Sequence, residues 1–332
     1  MTTRAICHTD GHSDSGGVSS VPPWLRIADY DAKLGWGGQA RGAERSRWCC
    51  EQLESGRILF FDGFPCDFPR TDHDFLLQRR QSGSRMHKNI SYRPKQDALR
   101  GSVAESKEDS ERLRNIMRHF SQEITGLLTR VLAPYAPHWS LDFASYRPEE
   151  EQGRDLPLHK RNDLLHLDAF PSRPTRGGRI LRCFTNINPE RSRNWITTDP
   201  FPQLAEKYAH PAGLDEITRR GDSAGRLLNL LRRALGIKKN GRSAYDKFML
   251  RFHDYLKENS DFQQNCPKIH LPFPPMSTWM CFTDSVPHAV LSGQYALEQT
   301  FIIPVRALVT PEQSPIRILE KMAGRPLAGR TG

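Results

Sequence analysis

Two β-like blocks far apart in this chain hold the pieces of one candidate metal site, and that pairing constrains the fold more than anything else. The first block reads RNDLLHLDAFPSRP and then RILRCFTNINP, and it contains His166-Leu167-Asp168. The second reads STWMCFTDSVPHAVLSG and then QYALEQTFIIPVRAL, and it contains His288. All four segments have the pattern of strands separated by turn residues. Residues two apart on a strand share a face, so His166 and Asp168 can reach one ion while Leu167 packs behind them. His288 follows Pro287 at a strand start, where its side chain can turn inward; the turn AFPSRPT closes the Asp168 side as a rim would. Two imidazoles and one carboxylate leave coordination positions open for oxygen and a co-substrate, which suits non-haem Fe(II). Zinc accepts the same donors, but no nearby Glu stands out as the general base of a zinc enzyme. His-x-Asp alone is weak in a chain with 12 His, and the β setting of both halves is what raises it.

Strands, a long interruption, then more strands predict an α+β protein. Its core would be a double-stranded β-helix of the jelly-roll or cupin type, with flanking helices. Residues 1–22 are rich in Ser, Gly and His and read as a disordered tail. Residues 23–138 read as α/β elements packing on the core. Their clearest element is a helix over 106–136, started by Asp109 or Ser110, with Leu113, Ile116, Met117, Phe120, Ile124, Leu127 and Leu128 on one stripe. The core spans 139–310, with a helical insertion at 190–270. Residues 311–332 contain Pro, Gly and Arg and read as a loose tail.

Hydrophobic residues make up 37% of the 332, and no run is long and apolar enough to span a bilayer. The N-terminus lacks an apolar signal core, so a cytoplasmic protein is expected. Seven Cys without CxxC spacing argue against a disulfide framework or a zinc knuckle. The net charge of +10, from 48 basic and 38 acidic residues, points to an anionic partner. No helix-turn-helix, finger or RNA-binding signature supports nucleic acid as that partner.

The phrases NDLLHLDAFPSRPTRGGRILRCFTNINP and STWMCFTDSVPHAVLSGQYALEQTFIIP resemble the Kdo hydroxylases, bacterial Fe(II)/2-oxoglutarate-dependent dioxygenases. ILFFDGFP and KNISYRP look like the same family, so the resemblance covers roughly residues 45–310. It implies that His166, Asp168 and His288 are the iron ligands and that 2-oxoglutarate and O2 are co-substrates. It also implies hydroxylation at C3 of 3-deoxy-D-manno-oct-2-ulosonic acid (Kdo) in lipopolysaccharide, giving the octulosonic acid Ko.

The far carboxylate of 2-oxoglutarate needs a cation. Where many members of the wider superfamily carry an Arg after the last His, this chain has Glu298, Gln299 and Thr300. The alternative is a basic residue on the strand after His-x-Asp. Alternation puts Arg182, Phe184, Asn186 and Asn188 on one face and Arg179, Leu181, Cys183 and Thr185 on the other. Arg182 is the expected clamp, with Arg147 as a second, Arg179 emerging at the edge and Asn186 as a hydrogen-bond partner near the iron. Trp279, Trp195 and Phe170 are pocket or core residues. The basic surplus suits a Kdo-containing glycolipid at a cytosolic membrane face, where each Lys or Arg contributes about 1 kcal/mol. Arg219, Arg220, Arg226, Arg232, Arg233, Lys238, Lys239 and Arg242 in segment 216–242 form a candidate docking flap or a solvated helix face. Rival readings are a hydroxylase of protein or nucleic acid and a non-catalytic cupin-like module that binds anions.

Overall fold

The computed structural model describes residues 24–31, 35–64, 68–80, 89–101, 106–220 and 242–328. Its frame is an eight-stranded sheet built from β1 (Trp24–Arg26), β2 (Ile58–Phe61), β3 (Ile90–Arg93), β4 (Ala98–Arg100), β5 (Ser140–Arg147), β6 (Arg179–Asn186), β9 (Thr278–Phe282) and β11 (Ala296–Ile303). The order is β1-β2-β9-β6-β11-β5-β3-β4, antiparallel apart from the β1–β2 pair. A smaller antiparallel sheet holds β10 (Ala289–Ser292), β7 (Arg193–Thr197) and β8 (Ile269–Phe273), in that order.

Period-two alternation sorts the central strands into two faces. Leu181 and Cys183 of β6 and Leu297 and Phe301 of β11 pack against α1 (Gln39–Glu54) and α3 (Lys107–Val131), with the short α2 (Arg70–Leu77) between them in the chain. α3 is capped by Ser106, whose side chain accepts from the Asp109 amide, so the helix starts earlier than Asp109. The opposite face meets the smaller sheet. Phe60, Phe184 and Trp279 pack there with Trp195, Leu271 and Phe273, and the Phe273 and Trp279 rings stack 3.9 Å apart. These two layers form the expected β-sandwich.

Helices α4 (Phe201–Tyr208), α5 (Leu214–Arg220), α6 (Ala244–Glu258), α7 (Ser260–Asn265) and α8 (Pro315–Ala323) belong to a second apolar cluster, which includes Leu165, Leu167 and Ala289. Leu167 is therefore anchored behind the site, as the alternation predicts.

Four expectations change. The 23–138 segment does not only pack on the core, because β1 to β4 extend both edges of the main sheet itself. The 190–270 insertion begins with a strand, β7, and ends on another, β8, so its helical part lies between them. The 311–328 stretch is no loose tail: α8 buries Ile316 and Leu319, and Leu327 is buried just beyond it. His166 and Asp168 lie outside any named strand, in an extended segment joined to His288 by one antiparallel bridge. The 1–22 tail and the basic run from 221 to 241 lie outside the described residues. Five described cysteines, Cys49, Cys50, Cys183, Cys266 and Cys281, are free thiols.

Candidate metal centre

A single pair of backbone hydrogen bonds sets the centre. The His166 amide donates to the His288 carbonyl at 3.2 Å, and the His288 amide donates back at 3.0 Å. Residues paired in this way project side chains to the same side, and the two rings lie 4.6 Å apart. Asp168, two residues on, joins them, and its amide donates to the Thr283 carbonyl at 2.8 Å. One ligand atom from each of the three falls within 4.8 Å of the others. The His166 and His288 Nε2 atoms stand 3.8 and 3.9 Å from the Asp168 carboxylate oxygens.

The donor set fits a divalent metal. His166 Nδ1 contacts the Leu164 carbonyl at 2.7 Å and His288 Nδ1 contacts the Val286 carbonyl at 3.0 Å. A carbonyl only accepts, so Nδ1 carries the proton and Nε2 offers its lone pair inward. Burial first, and then the charge of His288, holds the His166 pKa well below its ordinary value; burial also lowers that of His288. Both imidazoles stay neutral, the form that ligates. Burial pushes the Asp168 carboxyl up, but the charge of Arg182 above all holds it below the usual carboxylate range. Its Oδ2 is buried and lies 3.1 Å from Arg182 Nε, an ion pair without hydrogen-bond geometry. Trp195 lies flat against His288 and His253 meets His166 edge-on, both with centroids 5.1 Å apart, which fixes the rings.

The triad opens on a cavity of about 560 Å³ between the sheets, the 159–173 segment and α6. Its floor carries a chain of alternating charge. Arg182 sits 3.1 Å from Asp168 and 2.8 Å from Glu298, Glu298 is 2.7 Å from Arg147, Arg147 is 3.7 Å from Glu151, and Glu151 is 3.1 Å from Arg193. Strand register explains it: Glu298 on β11 faces Ser145 on β5 and Phe184 on β6, so Arg147 and Arg182 are its diagonal neighbours. Burial acts against ionisation of Glu298, but Arg182 and Arg147 more than offset it, and its pKa falls. Arg193 lies against the backbone of Gly293, which has φ of 129° and no room for a Cβ.

The structure brings His166, Asp168, His288, Arg182 and Arg147 to this cavity, and Trp195 lines it. Asn186 is not near the metal ligands' mouth: its amide donates to the carbonyls of Arg191, Phe273 and Pro274 and fastens a turn. Arg179 is also elsewhere. It is fully buried on the other face, paired with Asp284 at 2.8 Å and lying over the Phe282 ring. Trp279 is core, and Phe170 lies under Arg173 and Arg182 outside the cavity lining. Sequence reasoning missed Arg193, His253 and Lys257 as lining residues and Glu298 as the partner of both arginines. Only the i,i+4 spacing of His253 and Lys257 on one helix was there to be seen.

Two facing sheets with a buried His-Asp-His site between neutral imidazoles and a charge-balanced floor define the class of non-haem Fe(II) oxygenases. The chain belongs to the 3-deoxy-D-manno-oct-2-ulosonic acid (Kdo) hydroxylase family, whose pattern it matches over residues 37–326. It is similar to the solved Kdo hydroxylase KdoO, a non-haem Fe(II) α-ketoglutarate-dependent dioxygenase. The cobalt(II) complex of that protein is 33% identical, with 94% of this chain and 99% of that one covered and a TM-score of 0.79. The complex with α-ketoglutarate and Fe(III) is 32% identical, covering 92% and 98%, with a TM-score of 0.76. The complex with succinate and Fe(III) is 32% identical, covering 94% and 99%, with a TM-score of 0.77. No curated protein matches the chain. Among the described residues no helix is long and apolar enough to cross a membrane.

Proposed function

We propose that this chain hydroxylates C3 of a Kdo residue in an inner-core glycolipid such as Kdo-lipid A, with His166, Asp168 and His288 holding Fe(II). The bound metal supplies oxygen activation coupled to decarboxylation of 2-oxoglutarate to succinate. The residues around it do the rest. Leu164 and Val286 carbonyls keep both imidazoles in the ligating tautomer. Arg182 balances Asp168 and presents its guanidinium to the cavity, where the far carboxylate of 2-oxoglutarate is to be held. Arg147 serves as its support through Glu298 rather than as a direct clamp. Trp195, Phe184 and Val290 give the cavity apolar wall that keeps water from the reacting carbon.

The observation that carries this reading is the triad: three ligand atoms of the right chemistry within 4.8 Å, opening on a cationic cavity. The net charge of +10 supports attraction to a glycolipid bearing carboxylates and phosphates at an anionic membrane face. The test is anaerobic titration with Fe(II) and 2-oxoglutarate, followed by the visible charge-transfer band of the chelate, and then oxygen with Kdo-lipid A. The expected result is a band that His166→Ala abolishes and succinate formed with Ko. Oxygen-dependent succinate without a change in the sugar would overturn the substrate. No band and no retained metal would overturn the enzyme reading.

A further inference from the structure

Lys257 is a buried cation held by backbone carbonyls, with Asp168, Asp254 and Asp163 acting on it only from a distance. It projects from α6 and is 3% exposed, yet among the described residues no carboxylate comes within 4.0 Å of its ammonium. Two backbone carbonyls hold it instead, His159 at 3.0 Å and Arg161 at 2.6 Å. An ammonium has three N–H donors, so one remains, and the side chain lines the metal cavity. Burial lowers its pKa to about 8, a sign that the charge is kept at a cost. A buried charge without a counter-ion is expensive, and a ligand that brings one removes the expense.

We infer that Lys257 is the receptor for the carboxylate of the sugar-acid substrate and sets specificity for acids over neutral sugars. This rests on the proposed function. Position separates it from the co-substrate clamp: Arg182 lies on the sheet floor beside Asp168, whereas Lys257 stands on the helical wall, one turn beyond His253. His253 touches His166, so the wall stands beside the metal ligands. The neighbouring His159 and Lys160 also line the cavity, and Lys160 adds a second cation to this wall.

The test is equilibrium binding of free Kdo, of its carboxamide and of 2-oxoglutarate to the metal-free chain and to Lys257→Gln and Lys257→Met. Gln keeps donors for the two carbonyls, so it guards against a folding defect; thermal melts of both variants check this directly. Wild type is expected to prefer the acid to the amide on the order of tenfold or more. Both variants are expected to bind acid and amide alike, and their 2-oxoglutarate affinity should move less than about twofold. With Fe(II) present, KM for the sugar acid should rise while KM for 2-oxoglutarate does not. A variant that keeps the acid preference overturns the assignment. A selective loss of 2-oxoglutarate affinity makes Lys257 a co-substrate clamp and also overturns it. A wild type that binds acid and amide equally overturns this assignment, while the substrate reading is judged separately by Ko formed from Kdo-lipid A.

Discussion

Arg179 and Arg182 share strand β6 and serve opposite halves of the molecule. Arg179 is fully buried under Phe282, matched by Asp284, and faces no cavity. Asp284 also accepts from the Ile180 amide, so this pair pins the turn that leads to His288. Arg182, on the other face, bridges Asp168 and Glu298 at the floor of an open cavity. A buried pair enclosed by its own chain is scaffold. A buried pair with one side left to a cavity is placed to receive a ligand. The exposures differ, 0% for the Arg179 side chain and 13% for that of Arg182, and what lies beyond the partner gives the difference its meaning.

The most severe change removes the candidate ligands themselves, beside which only the Arg182 pair stands. His166→Ala or His288→Ala should abolish sugar-dependent succinate formation. Metal affinity should fall by more than the roughly 10–100-fold that loss of an outer partner costs. Cobalt(II) titration by absorbance measures it, and tight binding by either variant would remove the triad from the metal centre. Next comes the scaffold pair. Arg179→Met leaves the Asp284 carboxylate buried alone, which should destabilise the fold by about 3–5 kcal/mol. The double change Arg179→Met with Asp284→Asn should recover part of that, as read by chemical denaturation. A stable single variant with a lost 2-oxoglutarate site would reverse the roles of the two arginines.

How far the sequence reached follows the same division. The triad was legible because two local patterns, His-x-Asp and a Pro-preceded His, are enough to place three side chains on one face. The extended segment holding His166 has no strand partners beyond one bridge, yet the period of two still holds there. Alternation also separated Arg179 from Arg182. Asn186 keeps the predicted face but stands at the far end of β6, four residues from Arg182, where its side chain binds carbonyls of the following turn and of the facing strand β8. Glu298, Arg193 and Lys257 were not legible as site residues, since a buried charge acquires meaning only from partners far away in the chain. The C-terminal helix was within reach. Pro315 at its first turn and Gly324, with φ of 63° at its end, are helix punctuation, and they were read as loop.

The cavity arginine gives a smaller effect than the scaffold one. Arg182→Met should raise KM for 2-oxoglutarate about 10–100-fold, the loss of a charge-assisted hydrogen bond. It should cost less stability than Arg179→Met, because Arg147 still neutralises Glu298. Arg182→Lys should restore little, since a point charge cannot serve Asp168, Glu298 and a carboxylate together. Steady-state kinetics with each substrate varied separates the cases, and an unchanged KM for 2-oxoglutarate would move the clamp to another cation.

The smallest effect concerns His253, which packs on His166 but binds no metal in this arrangement. Burial, and then the charge of Lys257, lowers its pKa below the ordinary 6.5, outweighing the bond to the Leu167 carbonyl. A lowered folded pKa means that protonation favours the unfolded chain. The contribution of neutral His253 is therefore complete above about pH 6.5 and is lost as pH falls from there through the folded pKa. His166 and His288 titrate in the same direction in the metal-free chain and mask it. On the proposed ligand set, bound metal would hold those two unprotonated, so the loaded protein would isolate His253. Its melting temperature should decline on acidification below about pH 6.5, and His253→Gln should flatten that decline by no more than a few degrees. An equal slope in the variant would assign the acid sensitivity to the floor carboxylates, and would make the helical wall as inert toward protons as the Arg179 pair is toward ligand.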